Sequence, residues 1–348
     1  MTFMMIVLIL AGLVLLFAGG EILVRGSVGV ARRLGMSELL IGLTLVGFGT
    51  SMPEMVTSVQ ALADGAVGIS IGNVIGSNIA NVLLVIGAAC LLSPILTNPR
   101  ALARDGLVMV SATILFAVVI WLDGFTRLTG LIFVGLLVAY LAFSVVMDRR
   151  KTSAPAAHMH AEEGEVIETH GPLWISLALA IGGIAGVVLG ARFLVAGGSD
   201  LARAFGISET VIGLSIVAVG TSLPELVTSV MSALKGKADV ALGNVIGSNI
   251  FNILGIMGIS AAIFPFSLMA PSAPETGKPL DVGAMEYGEM TSLVTMQDMG
   301  ALALSVFLLI LFAYTGRKLA RWEGLVLLLA YGVYMALSFN LLPRIGGF

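Results

Sequence analysis

Four short polar stripes cross segments of the sequence that are otherwise apolar, and the polar residues of each stripe are spaced by four. They are Thr50, Glu54 and Ser58; Asn73, Ser77 and Asn81; Thr221, Glu225 and Ser229; and Asn244, Ser248 and Asn252. Residues four apart occupy one face of a helix. Carboxylate, hydroxyl and amide oxygens are the ligands of hard cations such as calcium and sodium, and the stripes offer no soft ligand suited to copper. The pattern therefore predicts a site for a hard cation.

The two glutamates, Glu54 and Glu225, are the strongest candidates within the stripes. Single serines, threonines and asparagines in membrane helices mostly serve packing or hydrogen bonds between helices. A carboxylate in the middle of a membrane costs at least a few kcal/mol, so an intramembrane acid indicates function by default. Since the acid recurs at matched positions, a purely structural role is the weaker interpretation.

A proline stands one residue before each glutamate, and glycines precede each proline. Pro53 and Pro224 have no N–H to donate and crowd the preceding helical turn. We therefore expect the helices to be interrupted and the carbonyls near residues 46–50 and 217–221 to lose their usual partners. In a membrane, such carbonyls need water, protein or a bound ion to satisfy them. The interruptions are thus predicted to belong to the site.

The elements that carry the stripes must be membrane helices. Of the 348 residues, 58% are hydrophobic and only 11% are charged, a balance that excludes a soluble domain of this size. Ten apolar segments have the roughly 17 to 25 residues needed to cross a bilayer. They are residues 4–24, 38–63, 69–92, 105–122, 127–147, 173–197, 209–234, 240–263, 299–316 and 323–342. The sequence predicts an all-α integral membrane protein with ten transmembrane helices.

The chain contains an internal repeat at an offset of 171 residues. Residues 39–59 and 210–230 share 13 identities in 21 positions, and residues 71–81 and 242–252 share 9 in 11. Two blocks at one offset indicate two related halves. Each half holds five predicted spans, an odd number, so the halves should have inverted topologies, the arrangement that transporters use for alternating access.

The predicted organisation follows from this repeat. It comprises a first repeat at residues 1–147 with site motifs at 39–94, a linker at 148–172, and a second repeat at 173–348 with site motifs at 210–265. If the amino terminus lies outside, 13 of the 18 Lys and Arg residues lie inside, as the positive-inside rule requires. We therefore predict that both termini lie outside and the linker lies in the cytoplasm. The compact chain and short loops favour a prokaryotic plasma (inner) membrane.

The paired motifs resemble a known family. The Gly-Thr-Ser-x-Pro-Glu and Gly-Asn-x-x-Gly-Ser-Asn-x-x-Asn blocks are similar to the alpha repeats of the sodium/calcium exchanger family, within the cation/calcium exchanger superfamily. The resemblance implies a secondary-active antiporter that exchanges sodium for calcium by alternating access. It also implies that helices two, three, seven and eight form a core around the ions, while helices one and six slide across that core.

The resemblance further implies a set of ion ligands in this sequence. Glu54 and Glu225 would be the main calcium ligands. Asn81 and Asn252 would line the centre of the site. The remaining ligands would be Thr50, Ser51, Ser77, Thr221, Ser222 and Ser248, with the backbone carbonyls of Gly47 and Ala218. Some relatives carry an aspartate at the position of Asn252, and in the potassium-dependent branch an acid there accompanies potassium use, which the amide here disfavours.

Other functions fit the sequence less well. The proton-coupled calcium antiporters of the superfamily resemble a Gly-Asn-x-x-Glu pattern, whereas Gly76 and Gly247 stand at the acidic position here, so sodium coupling is favoured. An enzyme is disfavoured because no predicted span contains a histidine. A passive channel would normally need rings of ligands from several subunits, whereas two halves complete this site and a monomer should suffice.

The net charge of −3 and the lack of a basic stripe disfavour binding to nucleic acid. The expected partners are calcium, sodium and the bilayer, without a cofactor.

Overall fold

The fold is given by a computed structural model that describes residues 2–33, 47–97, 99–150, 172–234, 238–271, 290–315 and 318–339. These residues are overwhelmingly helical. Of the predicted linker at 148–172, residues 151–171 lie outside the described residues. The same holds for residues 38–46, 316 and 340–342 of the predicted spans.

The first half of the chain forms a long helix, an interrupted helix, a helix with a widened turn, and two further helices. It contains α1 (Thr2–Arg33), α2 (Gly47–Thr50), α3 (Met52–Ala63), α4 (Val67–Ala80), a π-helical segment (Asn81–Ile86), α5 (Gly87–Leu92), strand β1 (Ile95–Leu96), α6 (Pro99–Trp121) and α7 (Arg127–Arg150). The helix α4, the π-helical segment and α5 follow one another without a gap.

The second half repeats this order with small additions. It contains α8 (Leu173–Phe205), α9 (Glu209–Ile212), a π-helical segment (Gly213–Val217), α10 (Ala218–Thr221), α11 (Leu223–Leu234), α12 (Ala238–Ile250), a π-helical segment (Phe251–Met257), α13 (Gly258–Ile263), strands β2 (Met269–Pro271) and β3 (Met290–Ser292), α14 (Met296–Thr315), strand β4 (Lys318–Leu319) and α15 (Arg321–Ser338). Strand β1 pairs antiparallel with β4, and β2 pairs antiparallel with β3.

Seven helices among the described residues are long and apolar enough to cross a membrane, and an eighth follows if the bent run Glu209–Leu234 counts as one span. The protein is therefore a multi-pass helical membrane protein. The other two predicted spans contain helices as well. One is the interrupted pair α2 and α3, whose predicted start lies outside the described residues, and the other is α15, which begins with the charged residues Arg321 and Glu323.

The two longest helices, α1 and α8, pack against each other through glycines. A Cβ added to Gly12 would lie 2.7 Å from the Leu194 nitrogen, and one added to Gly26 would lie 2.3 Å from the Ala180 nitrogen. The contact therefore joins backbone to backbone, as small residues allow in membrane helices. Because residues later in α1 contact residues earlier in α8, the two helices are antiparallel.

Local sequence explains where α8 ends and α9 begins. Gly206 adopts a left-handed conformation with φ of 62°, and its N–H donates to the Ala202 carbonyl, as in helices that end at glycine. Two residues later, the Ser208 hydroxyl accepts the Val211 N–H at 3.2 Å. Serine is a favoured residue at this capping position, so the chain can reverse and enter the interrupted helix.

Glycines also bring α4 of the first half against the second half. A Cβ on Gly72 would lie 2.5 Å from the Thr210 carbonyl oxygen, and one on Gly76 would lie 2.5 Å from that of Leu214. Since these glycines alternate along α4 with Asn73 and Ser77, the close contact holds those polar side chains beside the second half. The interior around α4 and α12 is the main apolar core of the protein.

Candidate cation site

The two interrupted helices break at equivalent residues. Ser51 separates α2 from α3 with φ and ψ of −89° and 6°, and Ser222 separates α10 from α11 with −84° and 8°. The helix axis bends by 43° at the second break. The prolines explain the position, because Pro53 and Pro224 occupy the first turn of the following helix, where a missing N–H is tolerated. The predicted interruptions are confirmed.

Each break places a glutamate in the first turn of a new helix, Glu54 in α3 and Glu225 in α11. The positive end of the helix dipole favours a negative charge there. Both side chains are fully buried, with 0% exposure. The two carboxylates come from opposite halves of the chain. The site thus concentrates two acids within the apolar interior.

Two hydrogen bonds cross between the halves and join each glutamate to the opposite break. The Ser51 hydroxyl donates to Glu225 Oε1 at 3.0 Å, and the Ser222 hydroxyl donates to Glu54 Oε1 at 2.9 Å. The second oxygen, Oε2, of each glutamate is buried and makes no hydrogen bond to any described residue. The carboxylates therefore retain acceptor capacity within the site.

Asn73 links Glu54 and Ser58 of the first half to Thr221 of the second. Its Nδ2 donates to the Ser58 hydroxyl at 2.9 Å and to the Glu54 carbonyl at 3.1 Å. Its Oδ1 accepts the Thr221 hydroxyl at 3.0 Å. The equivalent Asn244 makes a longer bond of 3.4 Å to Ser229. Asn73 therefore ties the first half of the site to the second.

The remaining predicted side chains also lie at the junction of the halves. Thr50 and Ser248 lie beside the Glu225 carboxylate. The Ser77 hydroxyl, Asn81 Oδ1 and both amide atoms of Asn252 are buried and make no hydrogen bond within the described part of the chain. Unpaired buried polar atoms are costly, and a bound ion is one way to satisfy them. These polar atoms thus lie buried on helices of the two halves that pack against each other.

One detail of the sequence prediction is wrong. The Ala218 carbonyl, expected to lose its partner, accepts the Ser222 N–H at 3.0 Å and lies 3.3 Å from the Thr221 hydroxyl. A proline removes the donor to the carbonyl four residues earlier, which is Gly220 rather than Ala218. The Ala218 oxygen keeps a second lone pair with which it could bind a cation. The other residue whose carbonyl was expected to bind the ions, Gly47, is the first residue of α2.

One contact at the junction of the halves involves a residue outside the four polar stripes. Asn249 accepts the Asn81 amide at 3.1 Å. Spacing could not reveal this bond, because Asn78 and Asn249 occupy the same place in the repeat and only Asn249 reaches across to the other half. The hydrogen-bond partners of both glutamate side chains among the described residues are neutral hydroxyls, so a buried negative charge here requires a cation to balance it.

A multi-pass helical fold whose two broken helices meet at a buried, oxygen-rich, doubly acidic site defines an ion-binding membrane protein of the transporter class. The chain belongs to the sodium/calcium exchanger protein family, whose sequence pattern matches residues 4–146 and 175–340. The family is one of ion exchangers rather than enzymes. The resemblance seen in the motifs is therefore confirmed.

Individual relatives extend over most of the chain. The sodium/calcium exchanger MaX1 of Methanosarcina acetivorans is 34% identical over 95% of this chain and 97% of its own length. The inner membrane protein YrbG of Escherichia coli is 34% identical over 74% of this chain and 79% of its own. A solved structure of the sodium-calcium exchanger NCX_Mj, soaked with 10 mM Na+ and 10 mM Sr2+, is 34% identical, covers 97% of this chain and 99% of its own, and superimposes with a TM-score of 0.61.

Proposed function

We propose that this protein is a secondary-active antiporter that exchanges sodium for calcium across the membrane by alternating access. The observation that carries the proposal is the pair of reciprocal bonds, Ser51 to Glu225 and Ser222 to Glu54. These bonds hold two buried carboxylates at one site made by both halves. Two negative charges match one calcium ion, and sodium ions can compete for the same oxygens.

The proposed ligands combine the two carboxylates with neutral oxygens around them. They are Glu54, Glu225, Thr50, Ser51, Thr221, Ser222, Ser77, Ser248, Asn81 and Asn252, with the carbonyls of Gly47 and Ala218. The burial of the ten side chains supports the proposal, because uncompensated charge and unpaired polar atoms in an apolar interior are costly. The transported ions are the only species that the site is proposed to bind, and no cofactor is required.

Coupling would follow from the cost of moving charge. A site with two uncompensated carboxylates cannot cross the membrane barrier cheaply, whereas a site loaded with calcium or with sodium can. Each ion then leaves only when the other replaces it. Sodium is favoured over protons as the coupling ion because glycine stands where the proton-coupled branch has an acid. The named relative MaX1 is a sodium/calcium exchanger.

For the whole molecule, we propose ten transmembrane helices in two inverted repeats of five, at residues 1–147 and 173–348, joined by the cytoplasmic linker 148–172. The antiparallel packing of α1 on α8 supports opposite orientations of the two halves. Both termini would lie outside the plasma (inner) membrane. One chain contains both halves of the site, so the functional unit is proposed to be a monomer.

Calcium-45 uptake into proteoliposomes tests the function directly. Vesicles loaded with sodium are diluted into sodium, potassium or choline buffer, and a parallel arm replaces the sodium gradient with a pH gradient. We expect uptake only when sodium can flow outward. Uptake driven by protons alone would instead place the protein among calcium/proton antiporters, and calcium flux without any counter-ion gradient would indicate a channel.

A further inference from the structure

A short chain of amide contacts crosses the centre of the molecule beside the proposed site. Asn249 Nδ2 donates to the Asn78 carbonyl at 3.3 Å, and Asn249 Oδ1 accepts Asn81 Nδ2 at 3.1 Å. Asn249 and Asn81 come from different halves of the chain. All three residues are essentially inaccessible, with at most 1% exposure.

The chemistry of these contacts fixes which end of each amide points where. A backbone carbonyl can only accept a hydrogen bond, so the Asn249 group facing Asn78 must be the NH₂. The same NH₂ lies 4.0 Å from Met109 Sδ, which is also only an acceptor. The carbonyl oxygen of Asn249 must then face Asn81, and only the NH₂ of Asn81 can donate to it.

The backbone carbonyl of Asn78 therefore fixes the orientation of the Asn249 amide, and Asn249 in turn fixes that of Asn81. Its oxygen, Oδ1, is turned away from Asn249 and makes no hydrogen bond to any described residue. Ser77 lies one helical turn earlier on the same face, and its hydroxyl likewise has no partner within the described part of the chain. An amide held in this way presents an oxygen, which binds cations, and not an NH₂, which repels them.

We propose that Asn249 is a positioning residue that fixes the Asn81 side-chain oxygen toward the transported cation. The inference rests on the proposed function, because it assumes that Asn81 is a cation ligand. The Asn249 oxygen, Oδ1, is turned toward Asn81 and accepts its amide. It acts only by holding Asn81, which reduces the cost of orienting that ligand when the ion binds.

The matched residue in the other half provides a contrast. Asn78 occupies the same place in the repeat as Asn249, yet its Nδ2 donates to the Val74 carbonyl of its own helix at 2.7 Å. Correspondingly, neither amide atom of Asn252, the counterpart of Asn81, makes a hydrogen bond to a described residue. One central amide is thus held in place and the other is not, which makes Asn78 the natural control.

The test measures the calcium concentration for half-maximal calcium-45 uptake into sodium-loaded proteoliposomes. Four full-length variants are compared with the parent: Asn249→Ala, Asn78→Ala, Asn81→Ala and the double variant of Asn81 and Asn249. Loss of one orienting hydrogen bond should raise that concentration roughly three- to ten-fold in Asn249→Ala. Asn78→Ala should change it by less than about two-fold, because its side chain does not touch Asn81.

The double variant separates positioning from general damage. If Asn249 acts through Asn81, removing it should have no further effect once Asn81 is alanine, and the double variant should match Asn81→Ala within about two-fold. The inference would be overturned if the effects of the two single substitutions on this concentration multiply in the double variant. It would also be overturned if Asn249→Ala and Asn78→Ala raise the concentration equally. If Asn249→Ala does not insert, Asn249→Leu, which has a similar size without polar atoms, replaces it.

The same variants distinguish this inference from the proposed function. An unchanged half-maximal concentration in Asn81→Ala would remove Asn81 from the ligand set, and the inference would fail with it. A weakened Asn81→Ala beside an unaffected Asn249→Ala would overturn the positioning role alone and leave the proposed exchange activity in place.

Discussion

At the scale of single residues, the site depends on how two acids are tolerated in an apolar interior. Ser51 and Ser222 each donate their only hydroxyl proton to a glutamate of the opposite half. The oxygen lone pairs of these serines then remain available to a cation. The same arrangement stabilises the carboxylates and supplies neutral ligands beside them, so serine is better suited to this position than alanine or a second acid.

Neutralising either glutamate should abolish exchange. Glu54→Gln and Glu225→Gln keep the size of the side chain and remove one of the two charges that balance calcium. We expect sodium-driven calcium-45 uptake to fall to the level of empty liposomes, while membrane insertion is unchanged. Near-normal uptake in both variants would remove these residues from the site.

The buried amide of Asn252 offers a second test at this scale. Asn252→Asp adds a third carboxylate without changing the size of the side chain, so the selectivity of the site among cations should change relative to the parent. We expect an altered dependence of calcium uptake on sodium and potassium, measured by varying each ion separately. Identical sodium and potassium profiles in parent and variant would show that Asn252 does not face the ions.

The hydrogen bonds of Asn73 predict an effect on stability. Asn73→Ala removes bonds to Glu54, Ser58 and Thr221, each worth about 1 kcal/mol. Asn73→Ala should therefore lower the melting temperature in detergent relative to the parent. An unchanged melting temperature would contradict this role of Asn73.

Sequence spacing singled out these residues as candidates, because period-four polar stripes and duplicated intramembrane acids are local patterns. It could not show which partner each residue would have. Asn78 and Asn249 have the same neighbours in sequence, yet one bonds within its own helix and the other crosses to Asn81. That difference is set by how the halves pack, which the repeat itself leaves open.

At the scale of helices, the prolines made the breaks predictable to within a few residues. The lengths of α1 and α8 were less predictable. The predicted spans 4–24 and 173–197 cover the apolar parts, whereas the helices extend to Arg33 and Phe205. Hydropathy indicates what lies within the bilayer, while a helix continues until glycine or a cap ends it, as Gly206 ends α8.

Neighbouring glycines on α8 allow a controlled test of its contact with α1. A methyl group on Gly183 would lie 2.4 Å from the Leu23 nitrogen, whereas one on Gly182 would meet nothing within 4 Å among the described residues. Gly183→Ala should therefore cost roughly 1 to 3 kcal/mol of stability and slow exchange. Gly182→Ala should be neutral or slightly stabilising because alanine favours helix.

The measurement is the melting temperature of each variant together with its initial rate of sodium-driven calcium uptake. The two substitutions add the same methyl group to adjacent positions of one helix, so a general effect of alanine would move both variants alike. Equal behaviour of the pair would mean that α1 and α8 do not need close backbone contact.

At the scale of the whole molecule, the proposed inverted repeat makes a claim about sides of the membrane. Five spans in the second half would place the linker and the carboxyl terminus on opposite faces, with the linker inside. The site lies between the halves, so each half would supply ligands in an orientation reversed relative to the other. The crossed bonds between Ser51, Ser222 and the two glutamates agree with such a pairing.

Labelling from one side of the membrane tests this arrangement. The sequence contains a single cysteine, Cys90, and it is buried. The parent protein should therefore not react with a maleimide, and labelling should report only on the introduced cysteine. A membrane-impermeant maleimide added to intact cells should label Gly347→Cys, near the carboxyl terminus, and should label Ala161→Cys, in the linker, only after the membrane is opened. Labelling of both positions from the same side would require an even number of spans between them. The second half could then not have five spans, and the inverted arrangement proposed for the exchanger would have to be abandoned even if sodium-driven calcium uptake were confirmed.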